Sequence, residues 1–399
     1  MGMSINTNVV SLNAQRNLSL SGNSLATTMQ RLSSGLRVNS AKDDAAGLAI
    51  SERMTTQVKG LAVAARNSND GISLAQTAEG ALGKVGDMLQ RMRELAVQSG
   101  NATNSTSDRE ALQSELAQLR DEVDRVAKTT SFNGAKLLDG SFTGAVFQVG
   151  ANSGDNITVG ALANTKTASL GTSVYGKTDV TSMKATNVTG LAGTSTITVT
   201  VTGANGISAT ATITGDAKRT NLEALGKVVE TINSKTADTG LTVFLEKKGD
   251  DYTISYRNTA ANDTATTAVA SVSVTGVTFG SHFSKSTTTI ETTKASGIDE
   301  VDIKTQAGAW EALQRIDNAI NKVNSARADL GAMQTRFEKA VENIDIQSEN
   351  LSAAKGRIVD TDFASETANL SRSQILQQAG TAMVAQANQL PQNVLSLLR

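Results

Sequence analysis

The feature that most constrains this chain is a heptad repeat of large apolar residues in its C-terminal third. Such a residue occupies every seventh position, at Ile316, Val323, Leu330, Phe337, Ile344, Leu351 and Ile358. Three positions after the first six come Ala319, Ala326, Met333, Ala340, Gln347 and Ala354. Large residues followed by mostly small ones at this period are typical of a long α-helix with one narrow apolar seam. We therefore expect a rod-like helix from Glu311 to Lys355 that needs other helices to cover its seam.

Two upstream segments carry apolar stripes that suit this seam. The first runs from about 41 to 99, with Ser40 and Asp43 placed as the N-cap and an acidic residue of the first turn. The second is expected to start at Ser107, which forms a capping-box pattern with Glu110. Its apolar residues are three or four positions apart, at Leu112, Leu116, Leu119, Val123 and Val126. Both segments are predicted to be helical partners of the heptad helix.

The two ends of the chain are amphipathic and almost uncharged. Residues 1–30 carry one charge, Arg16, and residues 373–399 carry only Arg399. Buried charges are costly unless they are paired, so ends of this composition suit a packed interior. We expect the two ends to pair as helices in such an interior, with Pro391 in the first turn of a tail helix or lightly kinking it. The residues expected to carry this contact are Ile5, Val9, Leu12, Leu25, Met29, Leu32, Leu390, Val394, Leu397 and Leu398.

The middle of the chain differs in composition, being rich in Thr, Ser, Ala and Gly from about 165 to 300. The stretches TITVTVTG at 196–203 and ISATATITG at 207–215 alternate with period two, which predicts a β-hairpin. Residues 241–256 predict a second hairpin that turns at Lys247 to Asp250. One short helix is indicated by Leu222, Leu225, Val229 and Ile232. We expect a β-rich α+β domain inserted between two helical halves, and we call residues 166–304 the insert.

Composition argues against several kinds of site. Cysteine is absent, and the only histidine, His282, is better explained as a surface-loop residue than as a catalytic base or zinc ligand. With 37 basic and 38 acidic residues and no basic block, nucleic acid is not an expected partner. No stretch reaches the roughly 18 apolar residues of a membrane span. We expect no enzyme activity, no cofactor, no metal site and no membrane partner.

Six stretches of the sequence closely resemble bacterial flagellin. They are SINTNVVSLNAQRNL, RLSSGLRVNSAKDDAAGLAIS, LQRMRELAVQSGNATNS, FNGAKLL, FQVGANSGD and SRSQILQQAGTAMVAQANQLPQNVLSLLR. The resemblance spans about 1–160 and 305–399, whereas the insert resembles no fixed pattern of the family. It implies a subunit that is exported unfolded by the flagellar type III apparatus and assembles outside the cell into the swimming filament. The N-terminus MGMSINTNVV has no secretory-signal pattern, which fits such a route.

The resemblance also implies a domain plan. The fold expected is a mainly α rod of long antiparallel helices, with coiled-coil pairing of the termini, a small β-hairpin region and an inserted β-rich outer domain. Residues 1–40 would pair with 359–399 as inner-tube helices. Residues 41–165 and 305–358 would form the rod, and the insert would project outward.

Partners follow from the same resemblance. The chain would bind itself, the hook-filament junction and cap proteins, and an export chaperone at its C-terminal helix. Arg91 and Leu95, four positions apart and so on one helix face, and Glu115 on the partner helix match the positions at which the animal Toll-like receptor for flagellin binds. Contacts between subunits would also explain these residues. A hook-filament junction protein of the same superfamily is the alternative function. An enzyme that uses the insert as a catalytic domain finds no supporting set of residues.

Overall fold

The structure is a computed structural model of the 399-residue chain. It describes residues 8–173, 175–184, 197–203, 207–213, 221–248, 251–259, 270–275, 288–292 and 296–397. The described residues are mainly helical, as the heptad pattern predicted. Their α-helices are α1 (Val9–Ser34), α2 (Ala45–Ser99), α3 (Thr106–Thr129), α4 (Asn221–Asn233), α5 (Thr236–Thr239), α6 (Gln306–Val359) and α7 (Phe363–Leu397).

The chain forms two compact units. The first contains Met1–Asp70, Phe147–Ile157 and Phe337–Arg399, and the second contains Gly71–Val146 and Thr158–Arg336. Helices α2 and α6 each contribute residues to both units.

The start of α2 differs from the expected one. Ser40 donates its backbone N–H and its hydroxyl to Asp43 Oδ2, each at 2.9 Å, which closes a separate turn ahead of the helix. The carboxylate of Asp44 accepts the N–H of Gly47 at 2.8 Å and so satisfies one of the free donors at the start of α2. The prediction that Ser40 caps this helix is therefore wrong, because a second acidic residue lies closer to its first turn.

The start of α3 is also displaced, by two residues. Ser105 is the N-cap, its hydroxyl accepts the N–H of Asp108 at 3.2 Å, and its own N–H donates to Asp108 Oδ2 at 3.0 Å. This is a capping box of the expected kind. The predicted pair, Ser107 and Glu110, instead lies inside the helix.

The seam of α6 is buried along most of its length. Helix α6 extends beyond the expected bounds at both ends, and no more than 4% of each of the following residues is exposed: Ile316, Val323, Leu330, Phe337 and Ile344. Leu351 is half-buried and packs on a small cluster in the first unit that contains Leu61, Ala64 and Ile344. In the same unit Phe337 contacts Phe147 edge to face, with ring centroids 5.4 Å apart.

Two short β-hairpins follow α3. Strands β1 (Ser131–Phe132) and β2 (Ala135–Lys136) are joined by Asn133 and Gly134, whose φ values of 47° and 81° suit a tight primed turn. Strands β3 (Ala145–Gln148) and β4 (Asn156–Val159) form the second two-stranded sheet. These are the β-hairpin region that the sequence led us to expect.

The insert contains a seven-stranded antiparallel sheet in the order β7-β6-β10-β11-β5-β9-β8. Its strands are β5 (Tyr175–Lys184), β6 (Ile197–Thr202), β7 (Ser208–Ile213), β8 (Leu241–Lys248), β9 (Asp251–Thr259), β10 (Ala270–Thr275) and β11 (Thr288–Thr292). Both predicted hairpins are confirmed, because β6 pairs with β7 and β8 pairs with β9. The predicted short helix is α4, and its Leu225, Val228 and Ile232 pack in a core with the sheet. His282 lies outside the described residues.

The two ends of the insert lie side by side. Ser173 and Ser296 form an isolated antiparallel bridge, and the N–H of Ile298 donates to Leu170 O at 3.0 Å. The chain therefore enters and leaves the insert at neighbouring points, as is usual for a domain inserted into another.

Candidate assembly and recognition surfaces

The first surface is built by α1 and α7, which run antiparallel. At the start of α1, Asn8 donates from Nδ2 to Ala387 O, and Ser11 donates from Oγ to Asn388 Oδ1, both at 2.7 Å. Farther along the pair, a β-carbon at Gly380 would lie only 3.1 Å from Leu18 Cδ1, so the two helices pack closely there. Neutral hydrogen bonds and close packing therefore set the register of the two helices.

The other end of the pair is held by a backbone crossing. Gly35 ends α1 with a φ of 73°, a left-handed conformation that favours glycine. Its carbonyl accepts the N–H of Thr361 at 3.0 Å, and the N–H of Arg37 donates to Val359 O at 2.6 Å. The chain entering α7 is thus tied to the chain leaving α1.

Most of the exposed large apolar side chains lie on these two helices. Of fifteen such side chains among the described residues, nine belong to the pair, namely Val9, Val10, Leu12, Leu20 and Met29 on α1 and Phe363, Ile375, Leu376 and Met383 on α7. The charged residues of the two helices are Arg16, Arg31, Glu366 and Arg372. Apolar surface concentrated in this way is characteristic of a protein-protein contact.

The residues expected to join the two ends of the chain differ in their exposure on this surface. Val9, Leu12 and Met29 are exposed, whereas Leu25 and Leu32 are half-buried. Helix α7 includes Leu390, Val394 and Leu397, whose side chains are not among those described, and Ile5 and Leu398 lie outside the described residues.

Pro391 lies late within α7, which begins at Phe363. The prediction that this proline occupies the first turn of a tail helix is therefore wrong. The tail residues form the C-terminal end of the long helix α7 and do not form a separate short helix. At the start of α7, Asp362 accepts the N–H of Ala364 at 2.9 Å.

The second surface contains Arg91 and Glu115, two of the three residues that were expected to lie at receptor-binding positions. Arg91 of α2 pairs with Glu115 of α3 at 2.8 Å and with Glu94 at 2.9 Å, and its side chain is half exposed. Hydrogen bonds to Glu94 and then to Glu115 raise the pKa of the Arg91 guanidinium. Leu95, by contrast, is 0% exposed, although it was expected on the same helix face as Arg91. Leu95, four positions after Arg91 on α2, therefore lies in the buried core.

A third group of polar residues was not anticipated from the sequence. Glu311 of α6 accepts hydrogen bonds from Tyr175 of β5 and from Arg257 of β9, the second at 2.7 Å. Arg257 also donates to Asp179 at 2.6 Å, and Arg315 donates to the Tyr175 hydroxyl at 2.8 Å. The hydrogen-bonded pairs are 54 to 140 positions apart in the sequence, so no local pattern predicts the group.

The electrostatics of this group favour a structural role. Burial, followed by the hydrogen bond to Glu311, raises the pKa of Tyr175 to about 12. Burial alone would raise the pKa of Asp179, but the hydrogen bond and charge of Arg257 outweigh it and leave the pKa below its usual value. Trp310 contacts the Tyr175 ring edge to face at 6.1 Å. The group joins the sheet of the insert to the first turns of α6 through paired charges.

Metal-binding and membrane-spanning features were also sought. Within the described part of the chain, no three His, Cys, Asp or Glu residues are grouped so that they could hold a metal ion. None of the helices described has the length and apolar character needed to cross a membrane.

Comparison with known proteins identifies the family. Residues 5–143 match the model of the bacterial flagellin N-terminal helical region, and residues 313–398 match that of the bacterial flagellin C-terminal helical region. The chain is 39% identical to B-type flagellin of Pseudomonas aeruginosa and 40% identical to flagellin B of Vibrio anguillarum, with all of both chains covered in each case.

Solved structures give more distant matches. FliC from Burkholderia pseudomallei is 27% identical, with 67% of this chain and 99% of that chain covered and a TM-score of 0.36. Flagellar hook associated protein-3 from Legionella pneumophila is 15% identical, with 77% and 98% covered and a TM-score of 0.42. The family models and the full-length relatives carry the assignment: the chain belongs to the bacterial flagellin family.

Proposed function

We propose that this chain is the repeating subunit of a bacterial flagellar filament and that the α1/α7 pair is a principal surface through which its copies bind. The observation that carries the proposal is the concentration of exposed apolar side chains on this pair. A filament places a neighbouring copy against each subunit, so such side chains would be covered by assembly.

Burial of these apolar side chains between copies would supply enough free energy for polymer formation. Full burial of one Val, Leu, Ile, Phe or Met side chain stabilises a protein by about 1.5–3 kcal/mol. Because every subunit repeats the same contacts, partial burial of several side chains on α1 and α7 would give a strongly favourable contact. The scarcity of charge on the two helices limits the desolvation cost of that contact.

The C-terminal tail supplies the test. We propose that Leu390, Val394, Leu397 and Leu398 pack between subunits together with the N-terminal residues Ile5, Val9 and Leu12. Leu397→Asp, or removal of residues 386–399, should abolish polymerisation when purified protein is seeded with filament fragments. Leu397→Met keeps the volume and apolar character of the side chain and should still polymerise.

Electron microscopy of the seeded samples distinguishes the outcomes. Micrometre-long filaments from the unmodified chain support the proposal, whereas short rings alone would identify a hook-filament junction component. Normal filaments from the tail-less chain would show that this segment is not an assembly surface. Loss of the cooperative unfolding transition in Leu397→Asp would assign the tail to the fold of the subunit itself.

Export and partners form a second part of the proposal. We propose that the chain leaves the cell unfolded by the flagellar type III route, with an export chaperone on its C-terminal helix, and that it contacts cap and hook-filament junction proteins during assembly. The absence of cysteine removes any disulfide that would oppose threading through a channel. The test is retention of the chain in the cytoplasm of a strain that lacks a working flagellar export apparatus.

Recognition by the animal Toll-like receptor for flagellin is proposed for the Arg91 and Glu115 surface. Both side chains are accessible, and they form one ion pair across α2 and α3. Arg91→Ala and Glu115→Ala should each lower receptor signalling while the subunit stays folded. Leu95→Ala needs separate treatment, because truncation of this buried residue should first destabilise the subunit. If a folded Arg91→Ala, Glu115→Ala double variant signals through the receptor as strongly as the unmodified chain, the assignment is refuted.

A further inference from the structure

Two methionines of the α1/α7 pair are exposed to solvent. The chain contains nine methionines, and the structure describes the side chains of six of them. Met29 of α1 is 56% exposed and Met383 of α7 is 62% exposed. Of the other four described, three are half-buried and Met92 of α2 is 0% exposed. Among the methionines that the structure describes, the exposed sulfurs therefore lie on the surface proposed for assembly.

Exposure decides which methionines a dissolved oxidant can reach. The thioether sulfur attacks one oxygen of hydrogen peroxide, the O–O bond breaks, and the second oxygen leaves as water. The sulfur loses two electrons and becomes a sulfoxide, while the peroxide is reduced. A buried sulfur reacts only when the structure around it opens locally. Met29 and Met383 should therefore be oxidised well before Met92.

The helical neighbours of both methionines offer little to hold a sulfoxide. Residues three and four positions apart are neighbours on a helix surface. Around Met29 they are Leu25, Ala26, Leu32 and Ser33, and around Met383 they are Ala379, Gly380, Gln386 and Ala387. Most of these have no side-chain donor, and burial of a polar group without a hydrogen bond is unfavourable. A sulfoxide at either position would be tolerated in water and disfavoured in a packed contact.

We propose that Met29 and Met383 are oxidation sites for peroxides and that their sulfoxides stop the free subunit from assembling. The inference rests on the proposed function, in which neighbouring copies cover the α1/α7 pair. Methionine suits such a contact because its flexible thioether adapts to the surface that covers it. Oxidation turns this apolar group into a polar one, and enzymatic reduction of the sulfoxide restores it. Once a subunit is assembled, the same burial would shield both sulfurs from the oxidant.

The first test does not depend on assembly. The full-length, unassembled chain is treated with dilute hydrogen peroxide, and peptide mass spectrometry follows the gain of one oxygen at each methionine. Met29 and Met383 should react at least about tenfold faster than Met92, because reaction at the buried sulfur requires local opening. Equal rates in a chain that keeps its helical circular dichroism would overturn the assignment of the two sites.

The second test measures assembly. The chain oxidised at both positions is mixed with filament fragments and sedimented over a range of concentrations. Its critical concentration for polymerisation should be at least about tenfold higher than that of the unoxidised chain, because buried sulfoxides would lack hydrogen-bond partners. Treatment with methionine sulfoxide reductases specific for each of the two sulfoxide epimers should restore the original value. Normal polymerisation of a chain that carries both sulfoxides would refute the proposal.

A double variant separates these two sulfurs from other oxidative damage. Met29→Leu combined with Met383→Leu keeps the apolar character and nearly the volume of both side chains, so this chain should polymerise like the unmodified one. It should also keep its critical concentration after peroxide treatment. If peroxide impairs the double variant as much as the unmodified chain, other residues are responsible and the proposal is refuted.

Assembled filaments provide the last comparison. Both methionines should react at least several-fold more slowly in filaments than in the free chain, because a neighbouring copy covers them. Equal rates in the two states would show that assembly does not cover these sulfurs. If the unoxidised chain does not polymerise, the proposed function fails and the effect of oxidation on assembly fails with it. If the unoxidised chain and the doubly oxidised chain polymerise equally well, only the present inference fails.

Discussion

Two isoleucines in the first unit allow subunit stability and assembly to be separated with the same substitution. Ile344 of α6 is 4% exposed and packs in a small cluster, whereas Ile375 of α7 is 65% exposed. Ile344→Ala should lower the free energy of unfolding by about 3 kcal/mol, within the usual range for truncation of a buried isoleucine. Ile375→Ala should change it by less than about 0.5 kcal/mol, as is usual at a surface position.

The expected effect on assembly is the reverse. Ile375→Ala removes the equivalent of three CH₂ groups, each worth about 0.8 kcal/mol when buried. If a neighbouring subunit covers the part of the residue that is now exposed, the contact loses about 1.5 kcal/mol per subunit. The critical concentration for polymerisation should then rise about tenfold.

The assay combines guanidinium denaturation of the unassembled chain with sedimentation of seeded samples over a range of concentrations. The reasoning is refuted if Ile375→Ala leaves the critical concentration unchanged. It is also refuted if this variant loses as much unfolding free energy as Ile344→Ala, because Ile375 would then belong to the core of the subunit.

Three further predictions concern the insert. Glu311→Gln leaves Arg257, which is 4% exposed, with Asp179 as its remaining carboxylate partner. Loss of one charged hydrogen bond should lower the free energy of unfolding by about 2 kcal/mol, measured by Trp310 fluorescence; an unchanged midpoint would contradict this. Because the pKa of Tyr175 is raised from 10.0 to about 12 in the folded chain, its stabilising effect is present below pH 10 and is lost as the pH rises from 10 to 12. Tyr175→Phe should therefore show a smaller loss of stability over that interval, and an identical pH profile would argue against the assignment. Replacement of residues 174–295 by a short Gly/Ser linker between Ser173 and Ser296 should leave a chain that polymerises on seeds, since these two residues are already bridge partners; a helical, soluble chain that never polymerises would show that assembly requires the insert.

The sequence predicted the long helices well because their patterns extend over many turns. The buried seam residues of α6 repeat often enough to outweigh any local ambiguity. Helix starts were less certain because capping patterns overlap. Ser105 with Asp108 and Ser107 with Glu110 both satisfy the pattern at α3, and only the path of the preceding turn decides between them.

Long-range contacts were not predictable from local patterns. The hairpins β6–β7 and β8–β9 follow from adjacent alternating segments, but the position of β5 between β9 and β11 depends on pairing between distant, threonine-rich strands. The pairing of Arg257 with Glu311 is of the same kind. Leu95 shows a further limit, since a spacing of four places residues near one another on a helix without indicating which of them faces the core.

The hydrogen bonds that set the register of α1 and α7 have a consequence for the conditions in which the protein works. Asn8 with Ala387, and Ser11 with Asn388, join groups that carry no charge and do not titrate near neutral pH. Dissolved salt screens exposed ion pairs, but it has little effect on neutral hydrogen bonds. The alignment of the terminal helices should therefore be the same in dilute and in saline water and across mildly acidic and alkaline media.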